Sequence, residues 1–351
     1  MLSSAGALAR AGVLIRRIDA LQDLSDADMV VFDKTGTLTQ DRLQWQGLRL
    51  REGGQAAQAL AWAGALARHS LHPVSRALWA HVREQALDAH ALQTLESIQV
   101  QDFVEKPGQG VEALLPGVGH LRLGSPRWIG APDGPDSGLQ VALSDDQGWL
   151  ATFEWQEQVR PEAVTVVRTL QALGLRLMVL SGDRADAVAR VAGMVGIEEH
   201  QGACLPQDKL AVVQALQARG HRVVMVGDGL NDGPVMAGAQ ISFALGQAVP
   251  LAQAQADFVI MGGSLTQLVQ TLFASRQTLR VVRQNLLWAL AYNLACVPLA
   301  LAGWLPAWAA GLGMALSSLL VVLNALRLST LTPLRSVAEL PQTPSSLLKA
   351  C

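Results

Sequence analysis

Asp33 stands directly behind the apolar triplet Val30-Val31-Phe32 and opens the run Asp33-Lys34-Thr35-Gly36-Thr37. At a strand end, beside a glycine turn whose backbone N–H groups can face an anion, an aspartate is placed to attack phosphorus. Such an attack needs the charge on the phosphoryl oxygens offset, because phosphoryl transfer is accelerated by positioning and electrostatic stabilisation. Three further stretches offer the necessary groups: Ser181-Gly182-Asp183, Lys209 behind Pro206, and Gly227-Asp228-Gly229-Leu230-Asn231-Asp232. Lysine occurs only four times in the chain, which gives weight to its placement at 209. In the expected scheme Asp33 is the nucleophile, Lys209 neutralises phosphoryl charge and Asn231 donates a hydrogen bond. Lys34, Thr35, Ser181, Gly182 and Asp183 complete the catalytic group. Asp33 and Asp228 hold Mg²⁺ through hard oxygens, with Thr35 in the same set and Asp232 acting from behind the ligands or through water. Taken singly these fragments are ordinary, since Asp-Lys-Thr and Gly-Asp-Gly both occur in plain turns. Their order, each behind an apolar run, carries the reading.

The elements that must position these residues are legible as short apolar runs. Met29 to Phe32, Leu175 to Leu180, Arg222 to Val226 and Phe258 to Met261 read as buried parallel strands. Helical patterns at Glu162 to Leu173 and Asp208 to Ala218 separate them. That alternation predicts an α/β fold, a doubly wound parallel sheet with ligands beyond the carboxyl ends of its strands, three of which carry an aspartate. Residues 44–155 have a different texture, with a loop at Pro132-Asp133-Gly134-Pro135-Asp136-Ser137-Gly138, and read as a small domain inserted into the first. The expected division is 1–43 for a linker and the first part of the phosphorylation domain, 44–155 for the insert and 156–275 for the second part. Residues 276–330 follow as two membrane helices, and 331–351 as a flexible tail.

Composition agrees with a chain partly in lipid: half of the 351 residues are hydrophobic. With 27 basic against 29 acidic residues there is no basic footprint for nucleic acid. Cys204, Cys296 and Cys351 are too scattered for a disulfide framework or a zinc site, which predicts a reducing compartment. The first thirty residues contain no apolar core of a signal peptide. Asn285–Gly303 and Trp308–Leu326, nearly uncharged and about 19 residues each, are long enough to cross a bilayer. Arg276, Arg280 and Arg283 before the first span, and Arg327 and Arg335 after the second, place both ends in the cytoplasm. The competing reading is a helical hairpin buried in a soluble domain.

Together, Asp33-Lys34-Thr35-Gly36-Thr37 and Gly227-Asp228-Gly229-Leu230-Asn231-Asp232 resemble the motifs DKTGT and GDGxND of the P-type ATPases, the pump branch of the haloacid dehalogenase superfamily. The resemblance implies a haloacid dehalogenase-like sheet with an inserted α+β nucleotide-binding domain, and ATP as the phosphoryl donor. Phosphatases of the superfamily carry a second aspartate, as general acid and base, where this chain has Thr35. Without it the acyl phosphate loses assistance worth about 10²- to 10⁴-fold, which suits a long-lived intermediate. No Walker A run occurs, so ATP must be held by another device. The heavy-metal branch is similar at His72-Pro73 and at the glycines of Gly108-Gln109-Gly110, which implies that His72, Gly108 and Gly110 contact nucleotide. Read from the residues alone, His72 is a helix-start residue and the glycines a turn. Where that branch often has an acidic residue before the histidine, this chain has Ala67.

The spans offer Tyr292, Asn293, Met314 and Ser318 as polar or soft groups and no carboxylate, which favours Cu⁺ or Ag⁺ over a doubly charged ion. Copper pumps look like the same four positions, whereas zinc pumps resemble a charged pattern that is absent. Helix packing alone also accounts for such residues. Cys296 reads as a small buried hydrophobe. The resemblance covers nearly the whole chain, yet the CPC membrane motif and the TGE loop do not occur. The chain is expected to be a truncated product, a fragment, or the partner of a separately encoded front half with the actuator domain and CPC motif. Its expected place is a bacterial inner membrane, in contact with lipid, with the catalytic domains cytoplasmic. The alternatives are a non-transporting fragment that binds ATP, and a membrane-tethered phosphatase.

Overall fold

A computed structural model of the chain describes residues 1–85, 89–132, 138–228, 233–246 and 255–330. Asn231 and Asp232, most of the loop at 132–138 and the tail 331–351 therefore lie outside the described residues. The chain divides into two compact units, one formed by Thr39–Gln158 and the other by the segments on either side of it.

The flanking unit is built on a seven-stranded sheet. Its strands are β1 (Val13–Ile15), β2 (Met29–Asp33), β3 (Arg176–Leu180), β4 (Glu199–Gln201), β5 (Val223–Gly227), β6 (Ile241–Leu245) and β7 (Phe258–Ile260). Their spatial order is β1-β7-β6-β5-β2-β3-β4. All neighbouring pairs are parallel except β1 with β7, so the expected parallel sheet carries one antiparallel edge strand. Every residue of β2, β5 and β6 is buried, as uninterrupted apolar runs require when helices cover both faces. Val30, Phe32, Val224 and Val226 feed one apolar layer, while Met29, Val31, Val223 and Met225 feed the other. This is the two-sided winding that the sequence predicts. Chain order reverses between β2 and β5, and ligands of such sheets bind at that switch point.

Three strands give no usable signal beforehand. In β4 the residues are Glu-His-Gln and all exposed, so neither a polar alternation nor an apolar run marks it. β1 is only three residues long, and β6 is interrupted by Ser242, so neither stands out as an apolar run. The helix Ala163–Ala172 and the helix Pro206–Ala218 occupy their expected places. The latter begins with proline at its first turn, and the Asp208 carboxylate accepts from the Leu205 N–H at 2.9 Å, satisfying one amide that the helix start leaves without an intrahelical partner.

The first apolar span proves to be the second half of a longer helix, Thr266–Leu301, of 36 residues and roughly 54 Å. Its first half is buried against the N-terminal segment, where Thr278 and Ser4 hydroxyls lie 2.6 Å apart and the Ser275 hydroxyl donates to the Leu21 carbonyl. From Leu286 onward its large apolar side chains are exposed. It runs as a hairpin into the helix Ala307–Leu326, seamed by Trp288 Nε1 donating to Ser317 Oγ at 3.1 Å and Asn324 Nδ2 donating to Asn285 Oδ1 at 2.9 Å. No residue in the most apolar window of either helix is buried, which is the opposite of a core hairpin in a soluble domain.

The inserted unit is a six-stranded sheet, ordered Thr39–Leu50, Gly148–Val159, Leu139–Asp145, Gly119–Gly124, Gly110–Leu115 and Gln101–Lys106. Burial alternates along Gly110–Leu115, so one face of that strand meets the core and the other is open. The helices Ala56–Ala67 and Pro73–Gln85 bring Ala63, Leu66, Leu78 and Val82 to the same core as Leu121, Leu143 and Phe153.

Candidate active site

Asp33 is the last residue of β2, and register fixes its neighbours: it lies opposite Leu180 of β3, while Phe32 lies opposite Val226 of β5. Ser181 and Asp228 therefore begin the turns on either side of it. Parallel neighbours sit about 4.8 Å apart, so Asp33 and Asp228 leave adjoining strand ends.

Lys209, on the helix Pro206–Ala218, places Nζ 2.6 Å from Asp33 Oδ1, and both residues are buried. A charge-assisted bond between groups so withdrawn from water holds the Asp33 carboxylate in one orientation. Behind Asp33 the chain turns sharply, with Gly36 at φ 68°, a backbone state that a side chain disfavours. Lys34, whose side chain is 1% exposed, pairs with Asp183 Oδ2 at 2.8 Å. Thr35 Oγ1 donates to the same oxygen at 3.0 Å and Ser181 Oγ at 3.3 Å. Burial works to raise the Asp183 pKa, but Lys34, Thr35 and Ser181 outweigh it and hold the carboxyl below its usual range. Gly182 has little spare room, since a Cβ there would lie 3.3 Å from the Cys204 carbonyl oxygen.

One contributor has no motif to announce it. Arg160 donates to the carbonyls of Gly36 at 2.8 Å, Thr37 at 2.7 Å and Gly263 at 2.9 Å, and its own N–H donates to Leu38. It thus fastens the nucleophile turn to the chain returning from the inserted unit and to the turn before the long helix. In sequence it is an arginine before a proline at a helix start, which carries no hint of those three carbonyls.

The donors present suit Mg²⁺. Among the described residues no cluster of three or more His, Cys, Asp or Glu could cage an ion. Two carboxylates with the remaining positions left to water and phosphate oxygens are what Mg²⁺ takes, unlike zinc or calcium.

In the inserted unit, His72 is exposed and its Nδ1 accepts from the Val74 N–H at 3.4 Å, at the start of the helix Pro73–Gln85. The Ser70 hydroxyl accepts from the His72 N–H and donates to Glu105 Oε1 at 3.0 Å, joining this corner to the strand Gln101–Lys106 that leads into the glycine turn. A carboxylate thus reaches the corner from Glu105, while Ala67 lies buried in the preceding helix. Gly110 faces Gly124 across two strands, and a Cβ on it would meet the Leu123 carbonyl oxygen at 2.3 Å. Close strand packing therefore accounts for Gly110. Gly108, with φ 73°, faces open space.

Tyr292 turns toward the second apolar helix, its hydroxyl 3.4 Å from the Ala310 carbonyl oxygen and above Gly313. Asn293, Met314 and Ser318 face outward, and the Ser318 hydroxyl donates to the Met314 carbonyl at 3.0 Å.

Comparison with known proteins agrees with this geometry. The family model for haloacid dehalogenase-like hydrolases matches residues 27–240. The chain is 37% identical over 342 residues to the probable copper-transporting ATPase SynA of Synechococcus, covering 93% of this chain and 42% of that protein. It is 36% identical over 340 residues to a copper-exporting P-type ATPase of Mycobacterium tuberculosis, covering 93% and 43% respectively. Among solved structures, a zinc-transporting PIB-type ATPase in its E2·Pi state superimposes with a TM-score of 0.79 at 29% identity, over 93% of this chain and 54% of that one. The chain thus spans less than half the length of those two relatives. Over most of its length the chain is similar to P-type ATPases, and it belongs to the haloacid dehalogenase-like hydrolase family.

Proposed function

We propose that this chain is the ATP-consuming portion of a pump for Cu⁺, with Ag⁺ as a chemically equivalent cargo, and that it forms an aspartyl phosphate on Asp33. The observation that carries the reading is the Asp33 carboxylate at the switch point of the sheet, held by buried Lys209 beside the strand end bearing Asp228. A carboxylate oxygen of Asp33 attacks the γ-phosphorus of ATP, the bond from that phosphorus to the bridging oxygen breaks, and ADP leaves. Lys209 stays close to the charge that develops on the phosphoryl oxygens. Mg²⁺, held by Asp33 and Asp228 with support from Thr35 and Asp232, would neutralise phosphate charge. Lys34 and Asp183 hold the turn in shape. Because Thr35 stands where an acidic base would activate water, the chain by itself releases phosphate slowly.

Nucleotide is assigned to the inserted unit at His72 and Gly108, with Gly110 shaping the turn. Cu⁺ is assigned to Tyr292, Asn293, Met314 and Ser318, since a thioether with neutral oxygen donors suits a soft monovalent ion. The names of the two copper-pumping relatives support that cargo, and the zinc-transporting structural neighbour supports the fold alone. Transport requires helices that this chain does not contain, supplied by a front half bearing the actuator domain and the CPC motif. The two apolar helices support a location in a membrane, and the arginines flanking them support the catalytic units on the cytoplasmic side.

Radiolabelled ATP tests the reading. The purified chain should take up acid-stable, hydroxylamine-labile label that Asp33→Asn abolishes. Label on Asp33→Asn would contradict the reading, and steady phosphate release from small phosphoesters without label would favour a tethered phosphatase instead.

A further inference from the structure

The corner between the helices Ala56–Ala67 and Pro73–Gln85 meets the strand Gln101–Lys106 through one buried hydroxyl. Ser70 donates to Glu105 Oε1 at 3.0 Å and accepts from the His72 N–H at 3.2 Å, so the carboxylate and the histidine are tied to the same atom. Glu105 lies opposite Val111 in the ladder and therefore shares its face, the one that meets the helices. Lys106, next in the chain, points to the other face, where its ammonium pairs with Glu112 at 2.8 Å. Among the described bonds only Oε1 of Glu105 is engaged, and the residue is exposed. His72 Nδ1 accepts from the Val74 N–H, so the proton of the neutral ring sits on Nε2 and is left for a ligand. Beside it Leu71, 89% exposed, offers bare hydrocarbon in an otherwise polar corner.

We infer that Glu105 reads the 6-amino group of the purine and so selects ATP over nucleotides with a 6-oxo base. The inference rests on the reading that nucleotide sits at His72 and Gly108. An ionised carboxylate only accepts, and the Nε2–H of a neutral imidazole only donates. Adenine offers the matching edge, since its amino group donates and the adjoining ring nitrogen accepts. A 6-oxo purine in the same placement sets a carbonyl oxygen against the carboxylate and a ring N–H against the imidazole N–H. A site built for one hydrogen-bond pattern rejects its inverse because the groups on both sides are left unpaired. The Ser70 hydroxyl holds the carboxylate in place beforehand, so little side-chain freedom is lost on binding. Leu71 gives the flat face of the base an apolar surface.

Equilibrium binding of ATP and of inosine triphosphate to the full chain in detergent, without Mg²⁺ so that no phosphoryl transfer follows, tests the assignment. The unchanged chain should hold ATP roughly tenfold more tightly, as one hydrogen bond to a charged acceptor at an exposed corner provides. Glu105→Gln keeps an oxygen for the Ser70 hydroxyl and gains an amide that donates to a 6-carbonyl, so it should level or invert the preference. Glu105→Ala should weaken ATP and spare inosine triphosphate. The readout is a ratio within one preparation, so partial misfolding of a variant leaves it intact. Equal affinity of the unchanged chain for the two nucleotides, or a preference for ATP that survives both substitutions, would overturn the proposal. His72→Ala separates the two readings. If it abolishes binding of both nucleotides while the unchanged chain shows no preference, Glu105 alone loses its role; if both bind as before, the nucleotide site at this corner falls too.

Discussion

At the scale of single residues, the buried pair Asp33 and Lys209 dominates, because two opposite charges 2.6 Å apart and shielded from water stabilise the fold only while both are present. Lys209→Met should lower stability by about 3–5 kcal/mol, the usual cost of leaving one buried charge alone, and labelling from ATP by roughly 10²- to 10³-fold. The double variant Asp33→Asn with Lys209→Met should regain much of that stability with no labelling at all. Urea unfolding and label uptake read the two effects separately. Asp183 makes a second prediction, in pH. Its pKa is held low in the folded state, so its contribution to stability is complete above the ordinary carboxylate range and disappears as pH falls through the depressed value. Asp183→Asn should therefore unfold with a midpoint less sensitive to acidification than the unchanged chain, and an identical acid profile would contradict the assignment. The lesson about reading residues lies in Lys34. It follows Asp33 in sequence, yet consecutive side chains diverge, and its ammonium pairs with Asp183 while Lys209, distant in sequence, meets Asp33. Spacing identified the charged groups but not their pairing, because pairing depends on which strand ends become neighbours.

Elements decide how firmly those residues are held. Arg160→Ala removes donors to three carbonyls around the nucleophile turn, and charged hydrogen bonds of this kind contribute roughly 1.5–3 kcal/mol each. Such a variant should melt earlier and label more slowly at saturating ATP, with nucleotide affinity little changed. A fall in affinity alone would contradict a positioning role. In the inserted unit, Gly110→Ala should destabilise more than Gly108→Ala. The first forces a methyl into the Leu123 carbonyl, whereas the second meets open space and costs only about 1–2 kcal/mol for its left-handed backbone. Calorimetry on the two variants ranks them. The apolar runs revealed β2, β3, β5 and β7, because strands covered on both faces must be hydrophobic throughout. Edge strands obey no such rule: β4 is polar and exposed, and β1 reverses direction at the border of the sheet. Length also misled at the first span. Hydropathy locates where lipid contact begins, but the helix itself starts at Thr266, because a polar face that bonds to Ser4 and Leu21 continues it into the catalytic unit.

For the whole molecule, the proposed function gives this chain the phosphoryl transfer and shares transport with a front half. Copper should therefore leave the labelling of this chain unchanged on its own and stimulate turnover only with a front half supplied. A coupled ATPase assay with and without such a polypeptide measures this, and copper-stimulated turnover by the chain alone would contradict the division of labour. The strand end bearing Asp33 was legible because it depends on a short local pattern. The proposed cargo positions Tyr292, Asn293, Met314 and Ser318 carry no such local pattern, because single polar or soft residues in an apolar helix also serve helix packing. The central claim reduces to one bond on one side chain. Brief exposure to ATP and Mg²⁺, followed by acid quench, hydroxylamine treatment and peptide mass mapping, converts an aspartyl phosphate to a hydroxamate at its own position. The account predicts that mark on Asp33 and nowhere else; a hydroxamate at another carboxylate, or none despite ATP consumption, would contradict it.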